Sequence, residues 1–484
     1  MSLIKNLFKT KKETKVQEPT PEKTLKWEKS LLSVMSKSGW SRDEAKKKMI
    51  NARKKHGIPY KDYDKFDLYK TPEEELESRY KKLSDRRHAR EQCIAMTMDY
   101  RGCSREEAVA MLNDARKRLG VPYKIYRRYH FFELTEAEQE ERFNEVNLVQ
   151  ESRRIEKETK ENGFLEIIKK ETGWDDDRLT QELDRSRSIS GANITDYYAF
   201  RFWELSPEEQ EQYFTRDLSK LIADRLDTNE IYTDILLNKE LTCQYFSDYM
   251  RRKWGISRRM TYEDFTKTFG NGKIVYKPLN GRGGLGIEFF DLTDENSREV
   301  YDHIQSLPRG LIEAFVVQHE DLNKLAPNSV NTVRVVTLSA KSNGKDIPED
   351  FFDIAYVALR IGKGDSNVDN FSKGGFVAGV NLQTGIVETD AVDVNGNVIK
   401  KHPLTGLDIR GFRIPMYEEI IDFVREMGKK IDGYIGWDIA VSVDGPVLIE
   451  ANTYPGNRIL QTPYAPEKKG MKYVMAKYLQ DIII

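Results

Sequence analysis

Cysteine is scarce in this chain, with three in 484 residues, at positions 93, 103 and 243. A scattered, odd set offers neither a disulfide framework nor metal-ligand spacing, and a reducing, cytoplasmic setting fits it best. Long apolar runs are also missing. No stretch approaches the ~18–20 residues of a membrane-spanning helix, and residues 1–30 lack the apolar core of a secretory signal. Net charge is lacking as well: 78 Lys and Arg against 79 Asp and Glu leave −1. With no global field to attract nucleic acid or anionic lipid, neither is expected as a partner.

What the chain does have is 39% hydrophobic and 11% aromatic residues, enough for two or three domains with their own cores. Residues 1–30 hold eight lysines against four glutamates. Leu3, Ile4, Leu7 and Phe8 could line one face of a short helix on a membrane surface. The favoured reading is a basic flexible tail over residues 1–28.

A pattern then occurs three times. Gly39-Trp40-Ser41, Gly102-Cys103-Ser104 and Gly173-Trp174-Asp175 each precede a charged amphipathic stretch that ends eighteen residues after its first glycine, at Gly57, Gly120 and Gly191. Ser41 with Glu44 and Ser104 with Glu107 are capping boxes, and Asp175 is an acceptable cap. The closing glycines suit a left-handed C′ position. Aromatic triplets follow: Tyr63, Phe66 and Tyr69; Tyr126, Tyr129 and Phe132; Tyr197, Phe200 and Trp203. Second helix starts come at Thr71-Pro72-Glu73-Glu74, Thr135-Glu136-Ala137-Glu138 and Ser206-Pro207-Glu208-Glu209. Residues 29–215 therefore read as three helical hairpins with a helical linker after the second. The aromatics are expected to pack rather than to bind a ligand. A large acceptor or a protein partner could sit on the repeat surface.

Beyond about residue 215 short β-branched strands appear. Ile274-Val275-Tyr276 reads as a strand, residues 277–286 as a glycine-rich hairpin loop, and Ile287 to Phe290 as the returning strand. Glycines let backbone N–H groups approach phosphate oxygens. The loop is neither a P-loop nor a dinucleotide fingerprint, because it lacks Gly-Lys-Ser/Thr and a strand follows it. Lys277 precedes it, and Lys239 opens an amphipathic helix 38 residues earlier. Downstream, Glu313 and Glu320 flank the end of a strand and a hinge. Asp438 lies on one strand, and Glu450 and Asn452 on the next. Residues two apart share a face of a strand, and Asp438 can join them across a hairpin. Two carboxylates and an amide oxygen are hard donors suited to magnesium. Taken singly, Glu313 and Asp438 could be surface strand acids and Arg334 an exposed sheet residue, and Lys239 is the least secure of the set. His402 reads as structural, on a loop before a helix.

These ordered elements resemble the ATP-grasp superfamily, over roughly residues 234–456. The wording Val330-Asn331-Thr332-Val333-Arg334-Val335-Val336-Thr337, His402-Pro403-Leu404-Thr405-Gly406 and Ile435-Gly436-Trp437-Asp438 is similar to its sugar-transfer-associated branch. The resemblance implies an α+β fold, with a two-subdomain ATP-grasp region at 216–340 (nucleotide) and 341–484 (metal and substrate) preceded by the all-α repeats. It implies that Lys239 and Lys277 contact the α- and β-phosphates, and that the loop with Gly281, Arg282, Gly283, Gly284 and Gly286 closes over the β- and γ-phosphates. Glu313, Ala314, Phe315 and Val316 would face adenine and Glu320 the ribose, while Asp438, Glu450 and Asn452 would carry Mg²⁺. Arg334, Arg360 and Asn370 would stand near the transferred phosphoryl group. One departure is plain: the helical repeats occupy the place of the usual N-terminal α/β domain, so substrate rules do not carry over.

The implied chemistry is an ATP-dependent carboxylate–amine ligase (a carboxylate–thiol ligase being the variant), proceeding through an acyl-phosphate and releasing ADP and phosphate. A small-molecule or peptide carboxylate and amine are its expected substrates. A phosphotransferase, or an ATP-binding scaffold recruiting a partner through the repeats, are the alternatives. No triad-like nucleophile is evident, and the ligase needs none.

Overall fold

The computed structural model describes residues 21–479 apart from 57, 59, 130, 227–229, 280–285, 341–350 and 365–373. The proposed surface helix of residues 1–8 and the closing Gly57 lie outside the described residues. The chain forms two compact units, Met1–Arg153 and Arg154–Ile484. The fold is α+β, with the helices leading and two antiparallel sheets following. Among the described residues no helix is long and apolar enough to cross a membrane.

The first unit holds two of the three repeated hairpins. Helix Arg105–Leu119 begins on a complete capping box between Ser104 and Glu107 and ends on Gly120 at φ +67°. Ser41 and Glu44 exchange the same pair of bonds. The aromatics pack as expected: Tyr63, Tyr126 and Tyr197 sit at the same step of each copy and are 2%, 1% and 1% exposed. Each copy closes around its own core.

The second helix starts differ from expectation in one copy. Thr135 with Glu138 and Ser206 with Glu209 form boxes. In the first copy Pro72 takes the cap position of a single 3₁₀ turn, Glu73–Glu75, without a side-chain cap. The linker after the second copy is the 37-residue helix Glu136–Thr172. The third copy, with helices Asp176–Ser190, Ile194–Ala199 and Pro207–Glu211, belongs to the second compact unit rather than to the first.

Among the described residues eleven strands form that unit's sheets: β1 Trp254–Ile256, β2 Gly272–Pro278, β3 Glu288–Leu292, β4 Gly310–Ala314, β5 Thr332–Ala340, β6 Phe351–Ile361, β7 Phe376–Val380, β8 Ala391–Val392, β9 Val398–Ile399, β10 Gly433–Ser442 and β11 Gly445–Thr453. The order is β1-β4-β2-β3 in one sheet and β11-β10-β5-β6-β7-β8-β9 in the other. A subdomain boundary at 340 would separate β5 from the strands it pairs with. Both its neighbours, β6 and β10, lie in the second sheet.

Alternation along the strands decides what each face carries. In the first sheet Ile274, Tyr276 and Ile312 pack with Phe265, Phe269 and Ile304 from helices Tyr262–Phe269 and Ser297–Ser306. Lys277 and Glu313 therefore fall on the opposite face. In the second sheet Val336, Leu338 and Tyr434 pack with Ile222, Ala223 and Leu226 of helix Arg216–Leu226 and with Met475 and Tyr478 of helix Lys472–Leu479. Arg334, two residues before Val336, and Asp438, four after Tyr434, lie further along that same face.

Candidate active site

The second sheet aligns its charged residues by register. Asp438 stands opposite Glu450 on one side and opposite Arg334 on the other, while Gly436 stands opposite Asn452. Arg334 Nε donates to Asp438 Oδ1 at 2.5 Å and Nη2 to Oδ2 at 2.8 Å. Arg360, from the end of β6, donates Nη1 to Oδ2 at 2.8 Å, and Asn452 Nδ2 reaches the same oxygen at 3.3 Å. Burial alone would raise the Asp438 carboxyl. The two guanidinium groups outweigh that effect and hold it below the usual carboxylate range.

Two local features make this geometry possible. A bulge separates Asp438/Glu450 from the next pair, Ile439/Leu448, leaving Ile449 unpaired beside the acids. Gly436 lies under the Arg334 side chain: a Cβ there would come within 3.0 Å of Nη1 and 2.7 Å of the Pro455 Cβ. The Arg334 Nη1 donates on to the Pro455 carbonyl at 3.4 Å.

The first sheet supplies a second charged group. Glu313 is 2% exposed and accepts from Arg252, and its other oxygen lies 2.5 Å from Lys277 Nζ. Burial again pushes the carboxyl up, and the two cations reverse the effect and lower it. The Glu313 side chain is thus occupied by Lys277 and Arg252. The hinge itself is stitched down. Ala314 and Phe315 donate their amides to the Lys253 and Lys273 carbonyls, and the His319 amide bonds the Val441 carbonyl of β10 at 2.7 Å. Glu320 opens helix Glu320–Leu325 with its carboxylate largely exposed.

Lys239 opens helix Lys239–Tyr245 behind the cap Asn238, and its Nζ lies 3.5 Å from the Leu279 carbonyl, two residues past Lys277. Both lysines therefore attend the base of the glycine loop. Gly281, Arg282, Gly283 and Gly284 of that loop lie outside the described residues, as does Asn370. Gly286, at φ +70°, is described, and a Cβ there would strike Pro278 at 2.9 Å.

Two residues important to this arrangement were not foreseen. Arg252 bonds both Glu313 of β4 and the Leu448 carbonyl of β11, and so joins the two sheets. It hides in the basic run Arg251-Arg252-Lys253, which reads as an exposed stretch. Glu240, next to Lys239, is 1% exposed and held by Arg259 and Arg309. Cys243 lies in this neighbourhood, where burial, with Glu313 adding to it, pushes its thiol up to about 12. His402 is structural: Nε2 meets the Gly362 carbonyl at 2.9 Å, and Nδ1 accepts from the Leu404 amide. A turn follows it, not the helix expected there.

Among the described residues no three His, Cys, Asp or Glu side chains gather as a metal-holding group. A cation at the β10–β11 face would rest on two acids and an amide. Their donor type and shared face suit magnesium. Glu450 is exposed and Asn452 half-buried, whereas both oxygens of Asp438 already accept guanidinium N–H groups. Asp438 holds Arg334 and Arg360 here, with three donors on Oδ2 and one, Arg334 Nε, on Oδ1.

The class is ATP-grasp, and a family model shows it. The narrower identification comes from the family model described as sugar-transfer associated ATP-grasp, which matches residues 205–472, more than half of the chain; the chain belongs to that family. No curated protein matches. Among solved structures the chain is similar to D-alanyl-alanine synthetase A from Vibrio cholerae, with 13% identity, 52% of this chain and 65% of that one covered, and a TM-score of 0.31. It is also similar to N5-carboxyaminoimidazole synthetase from Staphylococcus aureus complexed with ADP (9% identity, 51% and 52% covered, TM-score 0.31). A third likeness is to D-alanine–D-alanine ligase from Bacillus anthracis complexed with ATP (11% identity, 52% and 68% covered, TM-score 0.30). The chain spans less than two thirds of the length of the first two of these structures.

Proposed function

We propose that this chain is an Mg·ATP-dependent ligase that activates a carboxylate and joins it to an amine. The observation that carries the reading is the register of Arg334, Arg360, Asp438, Glu450 and Asn452 on one sheet face, tied through Arg252 to the Lys277–Glu313 pair. It is the arrangement expected of a site that must hold a polyphosphate and neutralise charge moving along it.

In this reading Lys239 and Lys277 bind the α- and β-phosphates, and the loop 281–286 covers the β- and γ-phosphates. The Val316 amide and the Ala314 carbonyl read adenine, since the amides of Ala314 and Phe315 are already occupied. Glu320 takes the ribose hydroxyls. Magnesium, held by Glu450 and Asn452 with Asp438 beside them, would supply charge neutralisation at the phosphates. Arg334 and Arg360 are fixed before substrate arrives, so their guanidinium groups need no reorganisation as charge develops. Asn370 completes the group.

The substrate carboxylate oxygen bonds to the γ-phosphorus as the bridge to the β-phosphate breaks, and ADP leaves. The amine then forms a C–N bond, phosphate departs from the acyl carbon, and the amine loses a proton. A cytoplasmic setting and small-molecule or peptide substrates accompany this reading.

Glu450 tests it cleanly, because its carboxylate is exposed and its loss leaves the buried pairs intact. Glu450→Gln should reduce magnesium-dependent ATP cleavage by about 10²–10³-fold with an unchanged circular-dichroism spectrum. A variant as active as the parent contradicts the assignment.

A further inference from the structure

The turn after β11 is held from an unexpected direction. It supplies the Pro455 carbonyl to Arg334 and the Gly456 carbonyl to the Tyr356 hydroxyl at 3.2 Å. Its backbone is strained at Tyr454, which sits at φ +55°, whereas Gly456 takes its φ of +78° without cost. A side chain at positive φ persists only where its surroundings over-determine it. Here the over-determining group is Asn457, 4% exposed. Its Nδ2 donates to Asp196 Oδ1 at 2.8 Å and to the Phe214 carbonyl at 3.1 Å. Both acceptors belong to the third helical copy or to its immediate end. Asp196 is 1% exposed, and its second oxygen accepts the Arg216 amide at 2.8 Å.

The repeat explains how this contact arose. Asp196 stands five residues after the closing Gly191, as Asp62 stands five after Gly57, and the second copy has Ile125 there. Asp62 is similarly buried but spends its carboxylate inside its own unit, on Arg87 and Tyr80. The same repeat position thus points inward in the first copy and toward the ATP-grasp core in the third. Gln461 adds to the bond: its Oε1 accepts the Phe214 and Met471 amides.

We infer that the third helical copy serves the site as its positioning element, with Asp196 holding the turn 454–457 through Asn457 so that the Pro455 carbonyl keeps Arg334 in place. Asp196 is a positioning residue and touches no reacting atom. The inference rests on the reading of Arg334 as a phosphoryl-contacting residue, and the experiment separates the two.

Full-length Asp196→Ala, Asn457→Ala, the double variant, Asp196→Asn and Asp62→Ala are compared in two ways. The first is turnover per molecule that binds nucleotide, which removes any loss from misfolding. The second is amide hydrogen exchange over residues 453–458 and over the hinge 314–317. Each single alanine variant should lose roughly tenfold in kcat with KM for ATP within about twofold, and the double should lose no more than the worse single. Exchange should quicken in the turn alone. Asp196→Asn, which keeps one acceptor but sets an NH2 group against the other donor, should lose less than Asp196→Ala without matching the parent, and Asp62→Ala should match the parent. Unchanged exchange in the turn, additive losses, or full turnover per binding molecule overturns the inference. If the parent turns over no substrate, the functional reading fails on its own, and the exchange measurement still decides whether Asp196 holds the turn.

Discussion

At the residue scale the most informative position is Gly436, which bears no charge. Its missing side chain is what allows the Arg334 guanidinium to lie flat between Asp438 and Pro455. A methyl group there would meet Nη1 at 3.0 Å, so Gly436→Ala should tilt the guanidinium away from its two-bond pairing with Asp438. We expect kcat to fall about 10–100-fold, with ATP affinity, measured by calorimetry, little changed, since the adenine and ribose contacts proposed above fall at the hinge after β4 and at Glu320 of helix Glu320–Leu325. That Asp438, Glu450 and Asn452 would share one face was legible from strand alternation and hairpin pairing. Gly436 was legible only as part of the motif Ile435-Gly436-Trp437-Asp438, because the need for bare space depends on a side chain from another strand, 102 residues away. Arg252 was not legible at all. Nothing in a run of three basic residues distinguishes the one that is 5% exposed at its side chain from its neighbours.

At the element scale the pairing of β2 with β4 turns an exposed-looking lysine into a fixed one. Val275 faces Glu313 in the ladder, so Lys277, two residues on, is within ion-pair reach of it. Removing one partner of a buried pair typically costs about 3–5 kcal/mol, and Glu313→Gln should destabilise the protein on that scale and weaken ATP binding through Lys277. The sign of the pH effect follows from the lowered carboxyl. Folding favours the ionised form, so this contribution is present above the ordinary glutamate value of about 4.3 and is lost as pH falls through the lowered one. Urea unfolding at about pH 7 and about pH 3.5 should show a larger loss for the parent than for Glu313→Gln; equal losses would count against the pairing. Strands β2, β3, β4, β10 and β11 followed from β-branched runs, alternation and the glycines between them, whereas β1 and β6 to β9 were not read as strands. The bulge at Ile449 did not, because one extra residue in a hairpin leaves no mark on composition.

At the scale of the whole molecule the three helical copies have parted company. The capping boxes, closing glycines and aromatic triplets showed three related hairpins, and local signals of that kind survive in sequence because each is satisfied within its own copy. Which copy packs where is set by contacts far apart in the chain, such as Asp196 with Asn457 and Phe214 with Gln461. A chain beginning at Arg154 should therefore fold and bind ATP like the full protein. One beginning at about residue 215 lacks Asp196 and Phe214, leaves the buried Asn457 and Gln461 without those partners, and should fail to fold cooperatively by calorimetry. Equal melting curves for the two truncations would show the third copy to be dispensable. The central claim, that the site cleaves ATP at the γ-phosphate to activate a carboxylate, is tested most directly by phosphorus NMR of the products formed from Mg·ATP, hydroxylamine and a pool of carboxylates. The account predicts ADP and phosphate in step with a hydroxamate. AMP with pyrophosphate, or a stable phosphorylated product without hydroxamate, would contradict it.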